Sequence, residues 1–340
     1  MIRIAVDAMG GDNAPGAVVE GCIQALNERN DISVILAGQR DKIEPLLLNA
    51  GDARSRIEIL DAPDVITMHE APVMAVRRKP NSSMVKAMDT VKNGDAQACV
   101  SAGSTGALLA AGMFRVGRIP GIERPALASV IPSTNKPYIL LDCGANADCR
   151  PDYLVQFGIM GSIYMEKVKG YSNPRVALVN IGSESEKGNE LSKETYPLLE
   201  KSGLNFTGNI EPRDIPSGAA DVVVADGFTG NVVLKLTEGL ASMLMGMIKT
   251  ELMSSTTTKI GAMLAKPAFK KVKKRMDYTE EGGAPLLGVK GAVIKAHGSS
   301  NATAIKNALF QAARMVDGKV VDIIAEQISK LDIKPKTQEG

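Results

Sequence analysis

Apolar residues fall along the chain in two rhythms: short unbroken runs of Val, Ile, Leu and Ala, and longer stretches where they recur every third or fourth position. The runs predict strands over 3–7, 32–37, 57–60, 98–101, 127–131, 138–142, 176–181 and 222–226. Few polar residues alternate within them, which is the pattern of strands covered on both faces. The spaced stretches predict helices over 14–28, 84–93, 105–115, 153–169 and 190–201. Strand and helix alternation of this kind builds an α/β architecture, a mostly parallel sheet with helices on each side. After residue 226 helical spacing dominates, over 231–253, 259–276 and 301–328. No Ser/Gly-rich linker or repeat divides the chain, so residues 1–330 read as one unit with two intertwined lobes and 331–340 as a tail.

In a parallel sheet, ligands bind beyond the carboxyl ends of the strands. Two of those ends read Asp7-Ala8-Met9-Gly10-Gly11-Asp12-Asn13 and Ser101-Ala102-Gly103-Ser104-Thr105-Gly106. Three more read Asp142-Cys143-Gly144-Ala145-Asn146, Asn180-Ile181-Gly182-Ser183-Glu184 with Lys187 just beyond, and Asp226-Gly227-Phe228-Thr229-Gly230-Asn231. Each joins small residues, which let a ligand approach the backbone, to Asp, Asn, Ser, Glu or Lys. Five such turns on one sheet edge predict a composite site. Ser104 or Thr105 is placed to cap the next helix, whose free N–H groups suit an anion. Segment 288–300 (GVKGAVIKAHGSS) is short, basic and Gly-rich, with Lys295, His297, Ser299 and Ser300 in reach of a polyanion. No strand is followed by the dinucleotide fingerprint G-x-G-x-x-G. The phosphate loop G-x-x-x-x-G-K-[ST] and the esterase elbow G-x-S-x-G do not occur.

Composition narrows the class further. The 340 residues are 44% hydrophobic and 23% charged, as in a globular protein that needs no disulfide or metal staple. Trp is absent, and Tyr and Phe number six each, too few for a platform that stacks nucleic-acid bases. Cys22, Cys99, Cys143 and Cys149 sit in apolar or Gly-rich surroundings without a C-x-x-C pair, as reduced, packed thiols do. The first residues enter a strand without signal-peptide features, and no apolar run reaches the roughly 18 residues that span a bilayer. A cytoplasmic protein is therefore expected. The net charge of +2 hides an asymmetry: segment 259–276 holds seven basic residues and no acid, leaving −5 on the rest. Its Ile260, Met263, Leu264, Ala268, Val272 and Met276 form an apolar stripe with Phe269 alongside, and most of the lysines lie off it. Leu264, Phe269, Lys270, Lys271, Lys273, Lys274 and Arg275 would then face an anionic membrane surface or an acidic protein. Pro267 is expected to kink or split this helix. Upstream, Leu240, Met243, Leu244, Met247 and Ile248 form a Met-rich face suited to a core or a dimer seam.

The motifs DAMGGD (7–12), SAGSTGA (101–107), LLDCGAN (140–146), NIGSESEKG (180–188), VVVADGFTGN (222–231) and GGAPLLGVKG…IKAHGSS (282–300) occur in this order over almost the whole chain. Together they resemble the motif series of the bacterial phosphate acyltransferase (PlsX) family. The family's SAGNTGA has Ser104 here in place of Asn, which keeps the backbone cradle and removes a side-chain amide. The resemblance implies transfer of a fatty acyl group from acyl-[acyl-carrier protein] to inorganic phosphate. The acyl phosphate then feeds a downstream glycerol-3-phosphate acyltransferase in phospholipid synthesis. The resemblance also implies a three-layer α/β/α fold of the isocitrate/isopropylmalate dehydrogenase-like group, a homodimer, and peripheral contact with the inner face of the cell membrane. No metal or redox cofactor is called for, because phosphate is already a competent nucleophile and needs orientation and an oxyanion site. On this reading Lys187 and the Ser104/Thr105 helix start take phosphate, and Asn231 with His297 takes the oxyanion. Asp226 and Asp142 orient these groups or accept a proton. Asp7, Gly10, Gly11, Asp12, Asn13, Gly103, Gly106, Asn146, Glu184, Lys295, Ser299 and Ser300 complete the substrate site. An apolar trough for the acyl chain falls to the Met-rich segment 240–253. Two rival readings are a phosphate acetyltransferase-like enzyme that uses coenzyme A esters and a non-catalytic, membrane-associated scaffold.

Overall fold

Short runs of Val, Ile, Leu and Ala pair edge to edge because burial on both faces suits such residues and their backbone groups then bond only to neighbouring strands. The structure, a computed structural model, describes residues 1–276 and 281–331. The side chains of Lys273, Lys274 and Arg275, and the tail from 332, lie outside the described residues. Within them the strands are β1 (Ile2–Asp7), β2 (Ile32–Gly38), β3 (Ile57–Asp61), β4 (Ala98–Ser101), β5 (Ala126–Ile131) and β6 (Tyr138–Leu141). They continue as β7 (Val176–Val179), β8 (Phe206–Ile210), β9 (Val222–Val224), β10 (Ala284–Leu287) and β11 (Ala292–Lys295). The helices begin with α1 (Gly16–Glu28), α2 (Arg40–Ile43), α3 (Pro72–Arg78), α4 (Ser83–Lys92), α5 (Thr105–Ala111) and α6 (Pro151–Lys169). The remaining five are α7 (Glu190–Glu200), α8 (Gly227–Leu252), α9 (Thr256–Met276), α10 (Ala302–Asp317) and α11 (Val320–Ser329).

One sheet carries all these strands in the order β3-β2-β1-β4-β11-β10-β5-β6-β9-β7-β8. The block from β3 to β11 is parallel, as is the block from β6 to β8. Between them β10 pairs antiparallel with both β11 and β5, and β5 pairs antiparallel with β6. Three antiparallel pairings leave the two parallel blocks pointing in opposite directions. The expectation of five polar turns on one edge is corrected accordingly: Asp7 and Ser101 end strands at one edge, whereas Asp142, Asn180 and Asp226 follow strands directed to the other. The cause is segment 282–295, which the sequence pattern leaves without a strand and which folds as the β10–β11 hairpin in mid-sheet. The two edges stay close there. Ala284 pairs with Lys295 and Leu286 with Leu127, and the Leu127 N–H donates to Asp142. Two residues of strand, about 7 Å, therefore separate these rows.

Helices cover both faces, so the molecule has the three layers expected of an α/β/α fold. On one face a single continuous core runs the width of the sheet, from Ile4, Val34 and Val100 through Ala128 and Ile139 to Val222, beneath α1, α6, α10 and α11. On the other face the core is cut in two. One part packs Ala5, Ile35 and Cys99 under α3, α4 and α5, and the other packs Tyr138, Leu140 and Val223 near the start of α8. The gap between them lies over β5 and the ends of β10 and β11 at Ala284 and Lys295.

Two helical expectations change. Residues 301–328 form two helices, because Lys319 after Gly318 adopts φ 50° and ends the first one. Pro267 sits within α9 without splitting it; the carbonyl it orphans belongs to Met263, which is exposed and open to water. Helix α8, whose apolar residues are broken up by Lys, Glu, Thr and Gly, is nonetheless long and apolar enough to cross a membrane by length and composition alone.

Candidate active site

The gap between the two half-cores holds a cavity of about 1090 Å³. Strand β5 forms its floor through Leu127, Ser129 and Ile131, and α8 forms its wall through Asn231, Leu234, Lys235, Glu238, Ala241 and Met245. These α8 residues recur every three or four positions, so they share one face of the helix. The opposite face, with Val232, Leu236, Leu240, Met243, Leu244 and Met247, is exposed. Thr105 enters from the start of α5, Gly144 from the end of β6, and Lys295, His297, Ser300 and Ala304 from the end of β11 and the start of α10.

Lys295 is the unusual member. Strand β11 carries it onto the cavity face only 8% exposed, and no carboxylate pairs with it at ion-pair distance among the described residues. Its ammonium donates to the Ala296 carbonyl. Burial, reinforced by Lys235, lowers its pKa to about 8 against the opposing pull of Asp7 and Asp12. Burying an ammonium without a counter-ion costs several kcal/mol, a cost that an anion in the cavity offsets. His297 lies below its ordinary value through burial and the nearby Lys295 and Lys235. Its Nδ1 is 2.8 Å from Ser299 Oγ and accepts the Ser299 N–H at 3.2 Å. With Nδ1 accepting, the neutral ring carries its proton on Nε2. Ser300 is 6% exposed, and its Oγ has no hydrogen-bond partner among the described residues. Beside it Asn301 caps the 16-residue helix α10, accepting the Ala304 N–H at 2.9 Å. Unbonded N–H groups at such a helix start favour an anion.

The remaining predicted residues build two supports. At one edge Asp7 is buried, accepts Ser101 Oγ at 2.7 Å, and is pushed above the usual carboxylate range by burial. Ser101 Oγ in turn accepts the Gly103 N–H at 3.0 Å. A Cβ on Gly10 would stand 2.4 Å from Asp7 Oδ2 and 2.7 Å from the Gly103 nitrogen, so only glycine fits there. Asp12 N–H donates to the Gly298 carbonyl, Gly11 packs on the same oxygen, and Asn13 Nδ2 donates to the Ser299 and Ser300 carbonyls. This first turn therefore clamps the loop that carries His297 and Ser300. Ser104 caps α5 by accepting the Ala107 N–H, and Gly106 lies against Pro72.

At the other edge Asp142, buried and raised to about 6 by that burial, accepts N–H groups of Leu127, Ala145 and Asn146 and the Asn146 side chain. A Cβ on Gly230 would come within 1.9 Å of the Asp142 carbonyl, so the first turn of α8 rests directly on this strand end and sets Asn231 beside Gly144. Asp226 spends both oxygens capping α8, accepting the Thr229 N–H at 2.8 Å and the Thr229 hydroxyl at 2.7 Å.

Lys187 and Glu184 stand apart. Both are exposed on the loop after β7, which Asn180 closes by donating to the Lys187 carbonyl, and neither lines the cavity. Leu264 is 79% exposed on α9, Phe269 is half-buried, and Lys270 and Lys271 are exposed. The four cysteines are buried or nearly so; burial pushes Cys143 and Cys149 up to about 12, which suits packing. Among the described residues no group of three His, Cys, Asp or Glu is placed to hold a metal ion. Lys235 and Glu238, an ion pair at 2.8 Å, are cavity residues that the motifs did not single out. Their signal was their spacing from Asn231, four and seven residues on.

The chain matches the family model described as fatty acid synthesis protein over residues 2–322. It is 53% identical over 329 residues to the phosphate acyltransferase of Clostridium acetobutylicum, covering 97% of this chain and 99% of that protein. Its fold is similar to a phosphotransacetylase from Streptococcus pyogenes, with a TM-score of 0.63 at 18% identity, covering 93% of this chain and 94% of that one. A 4-hydroxythreonine-4-phosphate dehydrogenase from Klebsiella pneumoniae is similar at a TM-score of 0.50 and 14% identity, covering 95% and 99%. These two likenesses concern the α/β fold. Whole-length matching at this level of identity shows that the chain is an enzyme of the fatty acid synthesis protein family and belongs among its phosphate acyltransferases.

Proposed function

We propose that the enzyme moves a long-chain fatty acyl group from acyl-[acyl-carrier protein] to inorganic phosphate, supplying acyl phosphate for phospholipid synthesis. The observation that carries this reading is the buried Lys295 with no carboxylate at ion-pair distance, set at a cavity large enough for a long chain and beside an unpartnered Ser300 hydroxyl. Phosphate sits at the start of α10, held by Lys295, His297 and Ser300. The thioester lies along α8 with its carbonyl oxygen toward Asn231 and the Thr105 helix start. A phosphate oxygen attacks the carbonyl carbon, the C–O bond forms and the C–S bond breaks. The thiol leaves with the proton that phosphate gives up. Holding both partners in register and stabilising the oxyanion supply the rate. The first-edge turn (Asp7 to Asn13) and Asp142 with Asn146 act as positioning groups.

Assembly as a homodimer belongs to this proposal, as does peripheral contact of the exposed α9 face with the inner surface of the cytoplasmic membrane or with the carrier. Lys187, which stands off the cavity of its own chain, acts on phosphate only within such a dimer. Lys187→Ala therefore lowers turnover if a second copy completes the site, and leaves it unchanged if each chain works alone. The test of the reaction is to incubate the protein with phosphate and either long-chain acyl-carrier protein or the matching coenzyme A ester, trapping acyl phosphate with hydroxylamine. Phosphate-dependent hydroxamate from the carrier-bound donor is expected. Hydroxamate from the coenzyme A ester alone overturns the donor, and none from either overturns the reaction.

A further inference from the structure

The α8 wall of the cavity is graded. Lys235 and Glu238 stand near His297 and act on its titration, which places that stretch beside the polar seat. Beyond it the inward positions are Ala241 and Met245, both half-buried between exposed neighbours. At 1.5 Å per residue they lie about 4 and 10 Å past Glu238 along the helix axis. Ile131 and Pro132 of the floor and the neighbouring Pro216, whose carbonyl accepts the Thr134 N–H, contribute further apolar surface to the cavity. The seat for a reacting carbonyl thus continues into an apolar groove whose wall carries a small side chain first and a long one a full turn later.

We propose that Ala241 and Met245 gauge the length of the acyl chain, Ala241 leaving room for a chain to pass and Met245 meeting its far end. This rests on the acyl-transfer reading above. The occupant is a saturated acyl chain whose carbonyl is anchored at the polar seat, because the groove opens from that seat and its α8 wall adds no charged residue past Glu238. A bulky residue at 241 obstructs the chain about 6 Å nearer the carbonyl than one at 245, so the two positions are expected to cut the accepted length at different points.

The test measures kcat/KM for decanoyl and palmitoyl donors on the same carrier, in wild type, Ala241→Phe, Ala241→Leu, Met245→Trp and Met245→Ala. Displacement of a fluorescent long-chain fatty acid provides a readout independent of turnover. The palmitoyl-to-decanoyl ratio is expected to fall at least about tenfold in Ala241→Phe, less in Ala241→Leu and Met245→Trp, and to stay level or rise in Met245→Ala. Fatty-acid affinity should follow the same order. A ratio and an affinity that are unchanged in every variant overturn the gauge. Graded affinity without phosphate-dependent turnover in the wild type overturns the acyl-transfer reading and leaves the gauge standing.

Discussion

At Lys295 burial and charge conflict without a carboxylate at ion-pair distance among the described residues. Its pKa is lowered in the fold, so the cation is held below about pH 8 and released above it. A phosphate that depends on this cation should bind less well as pH rises through that value. The KM for phosphate is expected to climb above about pH 8, while Lys295→Gln shows a high KM throughout with no such inflection. A wild-type KM that stays flat across this range, measured by steady-state kinetics, would separate Lys295 from phosphate. Asn231 is exposed to the cavity and its side chain makes no hydrogen bond among the described residues, so its loss falls on chemistry. Asn231→Ala should lower kcat by about 100-fold or more, roughly 2.7 kcal/mol, the scale for removing one oxyanion donor, with the thermal midpoint almost unmoved. Turnover within threefold of wild type would take Asn231 out of the site. Asp226 is the reverse case, because both its oxygens serve the α8 cap. Asp226→Asn should keep stability and turnover, whereas Asp226→Ala should cost about 1 kcal/mol in urea denaturation.

Helix α8 is the element on which the site depends, since it places Asn231, Lys235 and the chain-facing positions together. Its entry is fixed by Gly230, whose missing side chain lets the first turn rest on the Asp142 carbonyl. Gly230→Ala must push the helix outward by more than an ångström, and is expected to lower both the thermal midpoint and kcat. A variant with wild-type turnover would show that α8 is not positioned this way. Eight strands were legible in the sequence because unbroken Val/Ile/Leu/Ala runs mean burial whatever the topology. Three were not. Strand β8 is a half-polar edge strand, FTGNI, and β10 and β11 are four-residue pieces set in a Gly- and Lys-rich stretch that resembles a loop. Missing that hairpin also hid the reversal of sheet direction, since periodicity reports which face is buried and never which way a strand runs. Lys295, His297 and Ser300 were legible as a basic, Gly-rich cluster. Lys235 and Glu238 were harder to read, because both faces of α8 are largely apolar and only their spacing from Asn231 marks the one that borders the cavity.

For the molecule as a whole, the continuous core on one face and the divided core on the other explain why a cavity can exist without weakening the fold. The first face ties the two opposed blocks together, and the second leaves space between them. The outward faces of α8 and α9 are the unfinished part of the surface, with Leu240, Met247, Met263 and Leu264 all exposed, well beyond the scattered apolar residues of an ordinary monomer. Flotation with anionic liposomes should recover the wild type and lose Leu264→Glu and Phe269→Glu, with neutral liposomes recovering little of either. Equal flotation of wild type and variants would move the contact elsewhere. The phosphate seat at Lys295 is tested most directly by a crystal structure determined with inorganic phosphate. A tetrahedral anion is expected at the start of α10, within hydrogen-bond distance of Lys295 Nζ, Ser300 Oγ and the first N–H groups of that helix. An anion bound only at Lys187 or at the α5 start, with the Lys295 seat empty, would contradict that expectation.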